Sequence, residues 1–433
     1  MKSPDSPSSI RRLKWHAESL IYRVLEGTLA LLSAPTVAGL GESLGELAGK
    51  VLAKRRRTVR RNLRIAFAGE KSLAEIDAMV GVVFRRTGAN LISSIRTAAL
   101  DDAGLSKAIR IENPEIVERA LADGRGAVVV LAHMGNWEAI AQIFPRVFGA
   151  KNAAGTVYRP LNNPVLNERV EAVRQRTGIV LFKKNDNPMA LASFLRAGGA
   201  LGILSDQRAI GIGETVPFFG RLTVCTPMPA VLARRTGARV LGLSLKTIAP
   251  GRWNMKFHES TVAESTTAAC MRLLEELIRE SPEDVFWLQD RWRVSKHQPQ
   301  NQPGKTPRGA AGELVATKGR RCLLWITEAG PGAGGMTEPV ALRDVAPDDL
   351  KFEYALPFGA TRPDWIPAGA TVHAQPRRAS RSEWVRMLKA VDDADVLPLE
   401  FVYAPGGSRK LSKAGRHTGI AVILEPGGAA ASV

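Results

Sequence analysis

The chain is poor in cysteine, with 3 among 433 residues, and Cys225, Cys270 and Cys322 show no paired or metal-ligand spacing. That excludes a disulfide-stapled scaffold and predicts a reduced compartment. Long apolar runs are missing too. The uncharged stretch at residues 27–41 falls short of the roughly 20 residues a spanning helix needs, and it contains Pro35. Upstream, Arg23 and Glu26 interrupt the apolar region, which argues against a cleavable signal peptide. Both flanks are basic, so a positive-inside count assigns no spanning orientation. Residues 1–53 are therefore expected to be a short tail and a membrane-associating helix or hairpin, with a tilted span as the alternative.

Acidic residues are in deficit. With 60 Lys and Arg against 42 Asp and Glu, the net charge is +18 and an anionic partner is expected. The densest basic run, residues 54–64, has no interleaved aromatic residue, and no nucleic-acid reading motif follows it. Beside an apolar helix, such a run predicts contact with an anionic membrane surface, at about 1 kcal/mol per Lys or Arg. A solvated helix face is the plainer alternative.

The length supports two or three domains, and 45% hydrophobic content supports a core. Ser72 and Glu75 form a capping box that opens a helix running to about residue 100. The centre of the chain is the stretch 127–138. Residues 127–132 are apolar and β-branched behind Gly124 and Gly126, as in a buried strand, and residues 137–148 read as a helix. His133 thus ends a strand, where open α/β sheets place their ligands. Glu138 lies five residues on, which on one continuous helix would turn it about 140° away. The intervening Gly135-Asn136 tolerates positive φ and can fold the carboxylate back, so Glu138 is expected to orient His133 and leave its other ring nitrogen free to take a proton.

Beyond this stretch strands near 153–157, 179–182 and 200–205 alternate with helices at 164–177 and 188–196. Further on come helices at 228–236 and 268–280 and strands around 240–246 and 253–257. The pattern predicts an α/β fold with a mixed, mainly parallel sheet flanked by helices. The expected organisation is a main domain at 54–295, a Pro/Gln/Gly linker at 296–312 and a C-terminal extension at 313–433. The extension holds possible strands at 322–327 and 420–424 and a helix at 382–390, with no assignable role. Asp206 ends its strand as His133 does, and could assist the site or hold a guanidinium. Arg159, Arg174 and Arg176 supply forked donors suited to phosphate. Gly41 to Gly45 matches the Gly-x-Ser-x-Gly elbow of hydrolases, but that elbow needs a strand before it and here an apolar helix surrounds it.

The stretch His133-Met134-Gly135-Asn136-Trp137-Glu138 resembles the signature of the lipid A biosynthesis (lauroyl/myristoyl) acyltransferases, a His followed after four residues by Asp or Glu. Further landmarks come in that family's order: Asn62-Leu63 after the basic run, Tyr158-Arg159-Pro160 with Asn163-Pro164, Arg174 and Arg176 before Gly178, Asp206-Gln207-Arg208, and Pro217-Phe218-Phe219-Gly220. The match covers roughly residues 20–293. The resemblance implies transfer of a fatty acyl chain from a thioester, on acyl carrier protein or CoA, to a hydroxyl of a lipid A precursor or another membrane glycolipid or phospholipid. It implies the cytoplasmic face of the inner membrane, no metal and no cofactor, His133 as general base, and Arg174 rather than Arg176 in the site. Phe218 and Phe219 could line an acyl groove or belong to the core. The family's closing Trp-x-His-Arg-Arg-aromatic stretch is Trp287-Leu288-Gln289-Asp290-Arg291-Trp292 here, which implies an acceptor less phosphorylated or differently held.

Overall fold

A computed structural model of the protein describes residues 8–148, 152–209, 213–260, 265–292, 319–326, 350–364, 366–378, 380–404 and 409–424. The chain opens with four helices, α1 (Ser9–Leu31), α2 (Ala34–Val51), α3 (Ala53–Phe67) and α4 (Leu73–Ala98). Ser8 and Ser33 cap the first two, and Ser72 with Glu75 caps the fourth through reciprocal hydrogen bonds. Helix α5 (Asp102–Ala108), strand β1 (Ile109–Glu112) and helix α6 (Pro114–Leu121) follow. Next come β2 (Ala127–Leu131), α7 (Ile140–Val147), β3 (Ala154–Tyr158), α8 (Pro164–Gln175), β4 (Val180–Lys183), α9 (Pro188–Arg196) and β5 (Ala200–Leu204). After β6 (Glu214–Phe218) and β7 (Arg221–Cys225) come α10 (Met228–Thr236), β8 (Arg239–Ala249), β9 (Arg252–Glu259) and α11 (Thr267–Glu280). The C-terminal segment adds β10 (Arg320–Trp325), β11 (Leu350–Leu356), β12 (Thr371–Ala374), α12 (Arg381–Asp393), β13 (Leu399–Tyr403), α13 (Arg409–Thr418) and β14 (Ala421–Ile423).

These elements form two compact units. The first comprises Met1–Leu52, Gly81–Glu214 and Cys225–Phe286, and the second Ala53–Val80, Thr215–Val224 and Trp287–Val433. The expected linker at 296–312 lies outside the described residues.

The first unit is built on a seven-stranded sheet in the order β1-β9-β8-β2-β5-β3-β4. Every neighbouring pair is parallel except β8 with β9, so the sheet is mixed and mainly parallel, as the alternation of elements predicts. Strand β2 is central, and each of its residues is buried, which is why its sequence is continuously apolar rather than alternating. Val128 shares a core with Leu195 of α9, Leu201 of β5 and Leu232 of α10.

The N-terminal greasy region is two helices, not one, because Leu32 is extended and Ser33 caps a new start with Pro35 in its first turn. No helix among the described residues is long and apolar enough to cross a membrane. Helix α1 is amphipathic in the inverted sense. Glu26 is buried and pairs with Arg169 of α8 at 2.8 Å, while Ile10, Leu13, Leu20, Ile21 and Val24 are exposed. Helix α2 likewise exposes Leu40, Leu44, Leu47 and Val51. Its other side explains Gly41 and Gly45: a Cβ on Gly45 would meet the Phe84 carbonyl oxygen of α4 at 2.1 Å, and one on Gly88 would meet the Gly41 carbonyl oxygen at 2.1 Å. The Gly-x-Ser-x-Gly match is a close helix crossing, not a nucleophile elbow.

The second unit holds a five-stranded sheet ordered β12-β11-β10-β13-β14, with all neighbours parallel. The strands and helix expected in the extension correspond to β10, β14 and α12. Two buried guanidinium groups grip the C-terminal end of α12, whose last carbonyls have no partner within the helix. Arg64 of α3 donates to the carbonyls of Asp392 and Asp395 and pairs with the Asp392 carboxylate at 2.7 Å; Arg321 donates to the carbonyls of Val391 and Leu397. Much of the basic run is thus structural. Arg60 pairs with Asp77 and Asp393, and Arg61 with Glu400, while Lys54 and Arg56 remain exposed. Asn62 is buried and donates to the carbonyls of Trp287 and Gln289. Phe218 and Phe219 belong to an aromatic core with Phe67, Trp287 and Trp292, not to an acyl groove. Arg291 is held inside the same unit, over the Phe218 ring and against Thr223.

Glu400 is 4% exposed and lies 2.9 Å from Arg61 and 2.6 Å from Arg221. Burial works to raise its pKa, but the charges of Arg61, Arg221 and Arg320 overcome it and hold the carboxyl down at about 2. A depressed carboxyl contributes stability that is complete above its unfolded value of about 4.3 and is lost as pH falls toward 2. Glu400→Gln should cost about 3 kcal/mol in denaturant unfolding at neutral pH, because it strands buried cations. The gap between variant and wild type should close as pH falls through that window, and a gap unchanged at pH 3 would exclude the ionised pair as its source.

Candidate active site

Strands β2 and β5 are parallel neighbours with Leu131 opposite Leu204, and the Ser205 amide continues the ladder to the Leu131 carbonyl at 2.9 Å. The residues just beyond each strand, His133 and Asp206, therefore come level at the carboxyl rim of the sheet. His133 Nδ1 lies 2.7 Å from Asp206 Oδ1, and the two side chains are 17% and 9% exposed. Since a carboxylate only accepts, this contact puts the proton on Nδ1 and leaves Nε2 with its lone pair. Gln207 Nε2 stands 3.2 Å from that lone pair, a neutral donor that an incoming hydroxyl can replace.

Burial pulls the His133 pKa down, but the charge and hydrogen bond of Asp206, with a further contribution from Glu138, outweigh it and hold the imidazole above its ordinary value. Burial also pushes Asp206 up, and the adjacent His133 more than reverses that, so its carboxyl sits below the usual range. The two shifts are one interaction seen from both sides.

The hydrogen bond expected between Glu138 and His133 is not the one the structure forms. After Gly135 the chain enters a 3-10 turn at Trp137–Ala139, and Asn136 is buried with its amide on Thr97 Oγ1 at 2.9 Å. This turn directs Glu138 toward α8, where Arg174 holds it in a fork: Nη2 to Oε2 at 2.7 Å, Nη2 to Oε1 at 2.9 Å and Nε to Oε2 at 3.1 Å. Glu138 thus reaches His133 through its charge, while Asp206 makes the orienting contact. The Arg174 guanidinium also stands 5.7 Å from the centroid of the Tyr158 ring, whose hydroxyl donates to Glu171. Burial and Glu171 push the Tyr158 pKa up to about 12.

The other two arginines go elsewhere. Arg176 donates to the carbonyls of Ala98 and Leu100 and to Gln142 Oε1, completing the end of α4, and lines a separate surface cavity of about 680 Å³ with Asp101, Asp102 and Arg146. Arg159 follows β3, exposed and without a side-chain partner among the described residues.

Sequence reasoning missed Asp284. This carboxylate is 3% exposed and accepts from Asn90 Nδ2 at 3.1 Å, Thr247 N at 2.8 Å, Thr247 Oγ1 at 2.5 Å and Ser281 Oγ at 2.8 Å. It anchors a strap that meets the turn after β2 by backbone bonds: Gly135 N to the Asp284 carbonyl at 3.0 Å and Phe286 N to the His133 carbonyl at 2.8 Å. Gly135 has φ 57°, and a Cβ there would strike the Leu245 carbonyl oxygen at 2.3 Å, so the turn admits only glycine. Trp137 packs edge-on to both His133 and Phe286.

The profile of the family described as bacterial lipid A biosynthesis acyltransferase matches residues 9–294. The chain belongs to that family. It is 26% identical over 271 residues to the lipid A biosynthesis palmitoleoyltransferase of Escherichia coli (strain K12), covering 61% of this chain and 87% of that one. It is 25% identical over 300 residues to the lipid A biosynthesis lauroyltransferase of the same organism, covering 65% and 92%. A phosphatidylinositol mannoside acyltransferase of Mycolicibacterium smegmatis (strain ATCC 700084 / mc(2)155) is 26% identical over 208 residues, covering 46% and 67%. The protein is an acyltransferase of the lipid A and glycolipid type.

In a titration of the acyltransferase followed by imidazole NMR, His133 should protonate above pH 6.5. Asp206→Asn should move the midpoint to lower pH, because burial then acts with the attraction of Asp206 removed. An unmoved midpoint would show that Asp206 is not the dominant partner.

Proposed function

We propose that the acyltransferase moves a fatty acyl chain from a thioester, carried on acyl carrier protein or on CoA, to a hydroxyl of a lipid A precursor or similar glycolipid at the cytoplasmic face of the inner membrane. The observation that carries this reading is the His133–Asp206 pair, 2.7 Å apart at the carboxyl rim of the sheet. Asp206 holds the Nδ1 proton, and Nε2 removes the proton of the acceptor hydroxyl as its oxygen attacks the thioester carbonyl. Collapse of the tetrahedral intermediate breaks the carbon–sulfur bond, and the imidazolium returns the proton to the departing thiolate. General-base assistance of this kind contributes about 10² to 10⁴ in rate. Glu138 adds negative charge that favours the imidazolium and anchors Arg174. Direct transfer is preferred over an acyl-enzyme, since no serine or cysteine is hydrogen-bonded to the His133 ring among the described residues.

Exposed at the end of β3, Arg159 is free to take an anionic group of the acceptor. Arg174 and Arg176 are less suited, one forked on Glu138 and the other on α4. The mycobacterial relative, by its name, uses a phosphatidylinositol mannoside, which supports a second reading in which the acceptor is another membrane glycolipid.

Helices α1 and α2 are proposed to lie in the membrane interface. Support comes from their exposed leucine, isoleucine and valine stripes, combined in α1 with a polar face turned inward onto α8. A helix that buries glutamate and exposes leucine is unfavourable in water and favourable against lipid.

Lipid mass spectrometry on a deletion strain should reveal one glycolipid lacking a single acyl chain, and an unchanged lipid profile would refute the assignment. In a purified transfer assay His133→Ala should lose at least about a hundredfold in rate. Adding Asp206→Asn should cost little more, because groups acting as a unit are strongly non-additive. Losses that multiply would separate the two residues.

A further inference from the structure

The C-terminal segment has no part in the chemistry above, yet it presents a one-sided surface. Helices α12 and α13 pack on the same face of the five-stranded sheet, because Trp384 and Leu388 of one and Leu411 and Ala414 of the other share a single core with Leu323 and Val402. Their outer sides therefore form one layer. On it Arg381, Arg386 and Lys389 of α12 and Arg409, Lys413 and Arg416 of α13 are exposed. The last three fall at i, i+4 and i+7, a single stripe along the helix. None of the six has a hydrogen bond or ion pair from its side chain among the described residues.

Two of the three carboxylates of α12 are engaged by cations elsewhere, and the third sits at the helix start. Asp392 pairs with Arg64 at 2.7 Å and Asp393 with Arg60 at 2.7 Å, while Glu383 accepts from Ser380 Oγ at 2.9 Å at the helix start. The arginines of α3 thus take up the two aspartates at the end of α12, and its outer face carries three basic residues against the single carboxylate of Glu383. Neither helix exposes a large apolar side chain, and Trp384 is buried at 7% exposure. A surface with charge but no apolar anchor lacks the hot spots of a tight protein interface and the stacking platforms of a single-strand nucleic-acid groove.

We infer that this face is an electrostatic docking surface for an anionic phospholipid bilayer. A bilayer offers a plane of negative charge that needs neither aromatic nor apolar contacts, and each basic residue near such a surface strengthens binding by about fivefold. The inference rests on the membrane reading given for α1 and α2, to which it adds lipid-charge selectivity located in the C-terminal extension.

The test is cosedimentation of the full-length protein with vesicles of phosphatidylcholine alone and of phosphatidylcholine mixed in equal parts with phosphatidylglycerol. Wild type should prefer the anionic vesicles, and added salt should erase the preference. The combined change Arg386→Gln, Lys389→Gln, Lys413→Gln and Arg416→Gln should weaken binding to anionic vesicles by at least about tenfold. Binding to neutral vesicles and transfer in detergent should stay as in wild type. The milder pair Lys413→Gln and Arg416→Gln should lose about fivefold or more and serves if the fourfold variant unfolds. A wild type that binds both vesicles equally, or variants that keep the anionic preference, would overturn this inference alone. A wild type that binds neither would overturn the membrane reading with it. Loss confined to binding of duplex DNA, with vesicle binding intact, would overturn it in favour of a nucleic-acid surface.

Discussion

Two parallel strands held in register, β2 and β5, bring His133 and Asp206 level at their ends, and the 2.7 Å contact between them is what the site depends on. The pairing fixes which ring nitrogen carries the proton. It also offsets the burial that would otherwise depress the imidazole pKa, so a histidine with little exposure is held above its ordinary value. Everything around the pair limits its motion. Gly135 lies too close to Leu245 for any side chain, Asp284 anchors the strap behind the turn, and Trp137 closes the edge of the ring.

The second unit is organised by charge that has been taken out of water. Arg64, Arg321 and Glu400 are almost fully buried, and a buried ion is tolerated only when its hydrogen-bonding capacity is filled. Arg64 fills its own with carbonyls at and just past the end of α12 and the Asp392 carboxylate, Arg321 with neighbouring carbonyls and the Glu353 carboxylate, and Glu400 with two guanidinium groups. One consequence reaches the surface, because acids drawn inward to meet these arginines no longer neutralise the cations left outside. The excess of +18 in the chain is therefore unevenly distributed rather than a uniform coat.

Local pattern made much of this legible. The continuous apolar run before His133, the Gly-Asn turn and the spaced strand and helix segments sufficed to predict the sheet class and to place His133 at a strand end. The capping box at Ser72 and Glu75 and the helix break around Pro35 are local chemistry as well. The family signature added the acyl-transfer reading, since the order of its landmarks is carried by residue identity alone.

Pairing was another matter. Whether His133 meets Glu138, five residues away, or Asp206, 73 residues away, depends on which strands become neighbours, and strand order is a long-range property. The same holds for Arg174 and Arg176, nearly adjacent in sequence yet assigned by helix rotation to Glu138 and to the end of α4. Phe218 and Phe219 are apolar in either role, and only packing against Phe67 and Trp287 made them core. The basic run shows the limit most clearly, because composition announces its charge while the carboxylates that absorb Arg61 and Arg64, and one of the two that absorb Arg60, lie more than 300 residues further along the chain. Sequence by itself determined the elements and the position of His133 just past a central strand; tertiary structure decided the partners, since a side chain's energy depends on what burial places within hydrogen-bonding reach.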